Sequence, residues 1–192
     1  MQIYIVIRYF PMDLMDVTGP AKKKLKMDVT ASSSSSTSSS STAQWKYDVF
    51  LSFRGKDTRN SFTDIIYNSL IEKNIITFKD DENLKKGKLI SELFKEIEQS
   101  RFAIVIFSKD YASSTWCLDE LAKIVQCEKE MRITIIPVFY DVEPSDVRPE
   151  KEKGTFALAL VEHEKKSREN VQQWRDALTH VSYISGWTVM NR

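Results

Sequence analysis

Four short runs of apolar and β-branched residues, separated by segments with helical periodicity, constrain the fold of this chain most strongly. The runs cover residues 47–53, 75–78, 102–107 and 133–140. Most are nearly continuous rather than alternating, which is typical of parallel strands covered on both faces. Strands that alternate with helices at this spacing predict an α/β, doubly wound sheet. A weaker run at 186–189 predicts a fifth strand at the sheet edge.

The segments that follow these runs carry apolar residues three or four positions apart, as helices that pack on a sheet do. The sets are Phe62, Ile65, Ile66 and Leu70; Ile90, Leu93, Phe94 and Ile97; Leu118, Leu121, Ala122 and Val125; and Val171, Trp174, Leu178 and Val181. A further helix is predicted at 155–166, and a charged, proline-containing loop at 141–153.

The first part of the chain differs from the rest in composition. Residues 32–42 are all Ser or Thr, and such a tract cannot bury apolar surface. We therefore expect residues 1–44 to form a disordered extension and residues 45–190 to form the domain. A lysine-rich cluster at 22–26 leaves two interpretations open, a solvated charge run or a nuclear-targeting signal.

Composition excludes several functional classes. The 28 basic and 27 acidic residues give a net charge of +1, which argues against a dedicated nucleic-acid binder. No apolar run is long enough for a membrane span. The two cysteines, Cys117 and Cys127, lie too far apart on one predicted helix to pair, so we expect reduced thiols in the cytoplasm. With only His163 and His180 besides, a zinc site has too few ligands, and no metal is expected.

A candidate site lies where the predicted strands end. Ligands of open α/β sheets bind beyond the carboxyl ends of the strands, and Arg54, Arg59, Trp116 and Glu120 all follow such ends. If a helix begins near Thr115, Trp116 and Glu120 share one face. An aromatic ring beside a carboxylate can hold a flat cationic ring and act on the bond beneath it.

Each of these residues also has a purely structural interpretation. Glu120 would complement a helix dipole, and Trp116 would belong to the core. Arg54 would pair with Asp57, and Arg59 would be a surface charge. There is no GxGxxG and no Walker lysine loop, so neither a conventional dinucleotide fold nor a nucleoside triphosphatase is indicated.

Several ordered blocks resemble one family. The stretches 47–55, 57–59, 111–114, 116–121, 137–142 and 144–148 are similar to plant TIR (Toll/interleukin-1 receptor) domains, the modules that begin many disease-resistance proteins. The resemblance covers roughly residues 46–190 and implies a flavodoxin-like, mostly parallel five-stranded sheet with helices on both faces. From the resemblance we also expect this sequence to lack the helix that ends the family's domain.

The resemblance also implies an activity, cleavage of the nicotinamide–ribose bond of NAD or NADP in innate immune signalling. NAD(P) would be a substrate, and no permanently bound cofactor is implied. Glu120 matches the family's catalytic glutamate. The implied nucleotide-binding positions are Phe53, Arg54, Gly55, Arg59 and Trp116.

Self-association is implied as well, through helix surfaces and through a segment between Asp80 and Ile90 that resembles the family's BB loop. Lys86 stands before Gly87 where the family commonly has Arg. Asp64 and Ile65 occupy the positions of a Ser-His pair that many plant TIR domains use to associate. These departures leave a second interpretation open, a non-catalytic adaptor that works by homotypic TIR–TIR contact.

Overall fold

The computed structural model describes residues 45–79, 90–131, 133–150, 154–166 and 169–190. The predicted extension at 1–44 lies outside these residues. So does most of the predicted BB loop, including Lys86 and Gly87.

The predicted sheet is present, and it is parallel throughout. Its strands pair in the order β2-β1-β3-β4-β5. They are β1 (Tyr47–Phe53), β2 (Thr77–Lys79), β3 (Ser100–Phe107), β4 (Thr134–Tyr140) and β5 (Trp187–Val189). The chain moves outward from β1 in both directions, so the topology reverses between β1 and β3. Ligands of such sheets bind at this switch point.

Helices cover both faces of the sheet. They are α1 (Gly55–Thr58), α2 (Asp64–Glu72), α3 (Ile90–Glu98), α4 (Thr115–Met131), α5 (Pro144–Val147), α6 (Thr155–Lys166) and α7 (Val171–Ser182). A π-type turn (Arg59–Thr63) with non-helical backbone at Asn60 and Ser61 separates α1 from α2, and a 3-10 turn (Tyr111–Ser113) precedes α4. No helix among the described residues has the length and apolar character needed to cross a membrane.

The continuous apolar runs are explained by two cores, one on each face of the sheet. Phe50, Ala103, Val105 and Phe107 face a core formed with α3, α4, α6 and α7. The residues between them, such as Leu51 and Ile104, face a second core. Neighbouring residues of a strand point to opposite faces, so both must be apolar when both faces are covered.

Two predicted positions near the edge of the sheet were wrong. Ile65 was expected on the buried face of α2, but it is 45% exposed because it stands about 100° around the helix from the buried Ile66. The second strand was predicted at 75–78 and runs instead from Thr77 to Lys79. Ile76 precedes that strand and is 57% exposed.

The segment 141–153 was predicted to be loop, but it contains the short helix α5. Pro144 occupies the first helical turn, where its missing N–H costs nothing. Glu143 and Asp146 form a reciprocal capping box, in which the Glu143 backbone N–H donates to Asp146 Oδ2 at 3.1 Å.

Candidate active site

Glu120 lies on the first turns of α4, which begins at Thr115 as expected. Glu120 is only 3% exposed. Ser52 Oγ donates a hydrogen bond of 2.9 Å to Glu120 Oε2. Ser52 is the second-last residue of β1, so the carboxylate lies at the carboxyl edge of the sheet, beside the switch point.

Tyr111 also belongs to this hydrogen-bonded group. Its hydroxyl is 2.9 Å from Ser52 Oγ, and it donates to the Cys117 carbonyl oxygen at 3.1 Å. Burial raises the pKa of Tyr111 well above its ordinary value, with smaller contributions in the same direction from Cys117 and Glu120, while the Ser52 hydrogen bond opposes them. The phenol therefore stays protonated at neutral pH and remains a donor.

Ser52 and Tyr111 were not among the predicted site residues. A signal for Ser52 was present, because it is a hydroxyl inside the otherwise apolar end of the run at 47–53. Tyr111 gave no such signal. A tyrosine in a polar loop is unremarkable until the fold buries it completely.

Arg54 follows β1 directly and lies at the same edge. Its guanidinium forms an ion pair with Asp57 and lies 4.0 Å from Asp110. Asp57 Oδ2 also accepts a hydrogen bond of 2.5 Å from Ser108 Oγ. The structural interpretation of Arg54, pairing with Asp57, is therefore confirmed. A role in phosphate binding stays a prediction.

Phe53, Gly55 and Arg59 form a compact group next to Arg54. The Arg59 guanidinium lies over the Phe53 ring, with Cζ 5.1 Å from the ring centroid. A Cβ on Gly55 would stand 2.7 Å from Arg59 Nη2, so the absence of a side chain at Gly55 allows this close approach. Phe53 also joins this group to the first one, because Cys117 Sγ lies 3.6 Å from the Phe53 carbonyl oxygen.

Trp116 is half-buried and packs against the core formed with α3, α4, α6 and α7. Its indole Nε1 is buried, and no described residue accepts a hydrogen bond from it. The structural interpretation of Trp116 therefore fits this arrangement. Its stacking on a nucleotide stays a prediction.

The chain is similar to a known protein family. The model of the TIR domain family matches residues 46–192. The chain belongs to the TIR domain family. Over 149 residues it is 52% identical to TMV resistance protein N of Nicotiana glutinosa, covering 76% of this chain and 13% of that protein. Over 146 residues it is 47% identical to Disease resistance protein RPV1 of Vitis rotundifolia, covering 76% of this chain and 10% of that protein.

A solved structure agrees with this assignment. The TIR domains of the activated Roq1 resistosome, described as directly recognizing the pathogen effector XopQ, match with a TM-score of 0.67 and 52% identity. The match covers 75% of this chain and 88% of that one. The predicted resemblance to plant TIR domains and the flavodoxin-like sheet are therefore confirmed. The chain spans only 10–13% of the length of the two curated relatives.

In this TIR domain, α6 and α7 form hydrogen bonds with the two segments that carry the buried site residues. Trp174 Nε1 donates to Asp119 Oδ1 at 2.8 Å, next to Glu120 in sequence. Burial raises the pKa of Asp119, and the hydrogen bond from Trp174 opposes the shift. His163 Nε2 lies 2.9 Å from the Ala112 carbonyl oxygen in the 3-10 turn that holds Tyr111. Both segments that position the buried group are thus fixed to these helices.

Proposed function

We propose that this TIR domain is an NAD(P)+ nucleosidase, which cleaves the nicotinamide–ribose bond to give nicotinamide and ADP-ribose or cyclised products. One observation carries the proposal. Glu120 presents a buried carboxylate at the carboxyl edge of β1, held there by a hydrogen bond from Ser52. A buried, ordered carboxylate at the switch point of an α/β sheet is a functional-site candidate on physical grounds.

A single carboxylate suffices for this reaction. Most glycosidases need two carboxyl groups, one of which protonates the departing oxygen. Nicotinamide departs from a pyridinium, so it leaves as a neutral ring without receiving a proton. The remaining task is to offset the positive charge that develops on the ribose, and a fixed carboxylate does this best where the dielectric constant is low.

Arg54 and Arg59 are the proposed partners of the pyrophosphate, since planar guanidinium groups bind phosphate oxygens through two parallel hydrogen bonds. Arg59 is held over Phe53. Arg54 is held by Asp57, and the side chain of Asp110 is 60% exposed and easily displaced by a ligand. Trp116 would stack on the nucleotide. Either NAD or NADP fits this chemistry.

We further propose that self-association controls the activity, in plant innate immune signalling in the cytoplasm. The small exposed fraction of Glu120 supports this control, because a substrate must displace neighbouring groups before it reaches the carboxylate. The relatives are disease-resistance proteins, and the matched structure is an activated resistosome. The lysine-rich cluster at 22–26 leaves entry into the nucleus open.

The decisive experiment measures nicotinamide release from NAD by the 192-residue chain at high concentration in a crowding agent. The variant is Glu120→Gln, which keeps the size of the side chain and an oxygen that accepts from Ser52. Glu130→Gln is the matched control, since Glu130 lies on the same helix and is exposed. We expect release by wild type and Glu130→Gln, and a loss of roughly 100-fold or more in Glu120→Gln.

A second candidate function is a non-catalytic adaptor that binds other TIR domains. The ion pairs that occupy Arg54 favour it. It predicts no nicotinamide release from any variant. It also predicts that substitution of the α2 residue Asp64 disrupts self-association in light scattering, whereas Glu120→Gln leaves both association and signalling unchanged.

A further inference from the structure

Ser52, Tyr111 and Glu120 form a buried hydrogen-bonded chain behind the proposed catalytic carboxylate. Ser52 and Tyr111 are fully buried, and Glu120 nearly so. The chain runs from Glu120 Oε2 to Ser52 Oγ, then to the Tyr111 hydroxyl, and ends at the Cys117 carbonyl oxygen. The Cys117 carbonyl belongs to the same helix as Glu120, so the chain closes a ring between β1, the 3-10 turn and α4.

The number of available protons determines which groups donate in this series of hydrogen bonds. A hydroxyl carries one proton, and Ser52 donates its proton to Glu120 Oε2. With Glu120 ionised, as the proposed reaction requires, the contact of 2.9 Å between Ser52 and Tyr111 uses the phenol proton, which Tyr111 shares with the Cys117 carbonyl oxygen. In that state Tyr111 donates to Ser52 while Ser52 donates to the carboxylate. Hydrogen bonds in such a series strengthen one another.

The location of Ser52 argues that its hydroxyl has a purpose beyond packing. Phe50, two residues earlier on the same face of β1, belongs to the core formed with α3, α4, α6 and α7. An apolar residue at position 52 would extend that core, whereas a buried hydroxyl costs free energy unless it is hydrogen-bonded. Here both of its hydrogen-bonding contacts belong to the chain that ends on Glu120.

The Tyr111 ring is fixed independently of its hydroxyl. It packs edge-on against Phe107 with 5.0 Å between the ring centroids. The turn that carries it contacts His163 through the Ala112 carbonyl oxygen. Removing only the hydroxyl should therefore leave the ring in place, so Tyr111→Phe tests the two contacts of the hydroxyl, to Ser52 and to the Cys117 carbonyl oxygen.

We propose that Ser52 and Tyr111 are positioning residues for the cleavage reaction, Ser52 by holding Glu120 Oε2 directly and Tyr111 by orienting Ser52. This inference rests on the proposed function of Glu120. Both residues act on the orientation of the carboxylate rather than on nucleotide binding. Their loss should therefore lower kcat and leave KM for NAD nearly unchanged.

The first test measures kcat and KM for nicotinamide release by the full chain carrying Ser52→Ala, Tyr111→Phe, or both. We expect kcat to fall roughly 10- to 100-fold in Ser52→Ala and roughly 3- to 10-fold in Tyr111→Phe. The double variant should lose less than the product of the two single losses, because Tyr111 acts on the carboxylate through Ser52 as well as through its contact with Cys117 on α4. Unchanged kcat in either single variant would overturn the proposal. So would a double variant whose loss is the product of the two single losses.

Ser100→Ala is the matched control for the removal of a buried serine hydroxyl. Ser100 is fully buried at the opposite end of β3, where its Oγ donates to the Glu96 carbonyl oxygen at 2.7 Å. Its loss should lower stability as Ser52→Ala does while leaving kcat intact. If Ser52→Ala fails to fold, the kcat and KM of Tyr111→Phe decide the question.

A second readout does not depend on activity. The ¹³C chemical shift of the Glu120 side-chain carboxyl, assigned by its absence from Glu120→Gln, should move in Ser52→Ala and Tyr111→Phe and stay in place in Ser100→Ala. Should the wild-type chain release no nicotinamide, the proposed function fails. This shift then decides alone whether Ser52 and Tyr111 hold Glu120, and an unmoved signal in Ser52→Ala overturns that claim.

Discussion

The ion pairs around Arg54 give a prediction that can be worked out from the structure. Arg54 faces two carboxylates, Asp57 in the following turn and Asp110 at 4.0 Å. A pyrophosphate that binds Arg54 must compete with both. Replacing Asp110 by asparagine removes the more exposed competitor without touching the Asp57 pair, so the affinity for NAD should rise.

The expected change in affinity for NAD follows from the distance between Arg54 and Asp110 and from the exposure of the Asp110 side chain. Two unit charges 4 Å apart in water interact by about 1 kcal/mol. The Asp110 side chain is 60% exposed, and ion pairs measured at such positions typically contribute about 0.2–1 kcal/mol. We therefore expect KM for NAD to fall about 1.4- to fivefold in Asp110→Asn, with kcat unchanged because no group at the reacting bond is altered.

Steady-state nicotinamide release at low and high salt measures this effect. The gain should shrink at about 1 M salt, where the Debye length is about 3 Å and shorter than the separation of the two groups. Asp176→Asn is the control for net charge, since Asp176 is exposed on α7 and accepts a hydrogen bond from Gln172. An unchanged KM in Asp110→Asn, or an equal fall in both variants, would refute the assignment of Arg54 to the pyrophosphate.

Three further predictions test other parts of the structure. Phe107→Ala should lower the free energy of unfolding by about 3–5 kcal/mol in urea denaturation, because Phe107 is buried against Phe139 and Tyr111, whereas Ile76→Ala at an exposed position should change it little. Gly55→Ala should displace the Arg59 side chain and raise KM for NAD at nearly constant stability, and an unchanged KM would show that Arg59 does not bind the phosphates. The raised pKa of Asp119 means that the folded state holds this proton more tightly than the unfolded state, so the free energy of unfolding falls as pH rises from the ordinary value of 3.8 through the raised one. Asp119→Asn should therefore be more stable than wild type at pH 7 and lose this advantage below about pH 3.8 in urea titrations, and an advantage independent of pH would contradict the cause given.

The sequence predicted the sheet because its pattern is strong and local. Both faces of β1 and β3 are covered, so most residues of those runs are apolar, and the strands could be recognised without tertiary information. The same reliance on apolar residues placed the second strand incorrectly, at 75–78. Among the described residues β2 has three residues and pairs with β1 alone, and Ile75 and Ile76 carried the apolar signal while Thr77–Lys79 made the hydrogen bonds.

The site was only partly predictable. The order of elements was enough to place Glu120 and Arg54 at the carboxyl edge of the sheet, since that edge is where parallel strands end together. The order of elements was not enough to predict the pairing of Glu120 with Ser52. That pairing depends on how α4 lies against β1, which the spacing of apolar residues does not specify. The position of Trp116 relative to Glu120 on the helix was predicted, but its packing against the core was one of two open interpretations.

The contacts of Glu120 and Arg54 explain how self-association would control the proposed activity. In the structure, two of the proposed functional groups have partners that a substrate would have to replace or share: Ser52 holds Glu120, and Asp57 and Asp110 face Arg54. The two sets of contacts should change differently when a substrate binds. The Ser52 hydrogen bond orients the carboxylate and should persist during catalysis, whereas the Asp110 contact opposes phosphate binding and should be lost. Self-association would therefore act by releasing Arg54 and exposing Glu120 without disturbing Ser52 and Tyr111. Asp110→Asn should then lower the protein concentration needed for activity, and Ser52→Ala should lower kcat equally at every concentration.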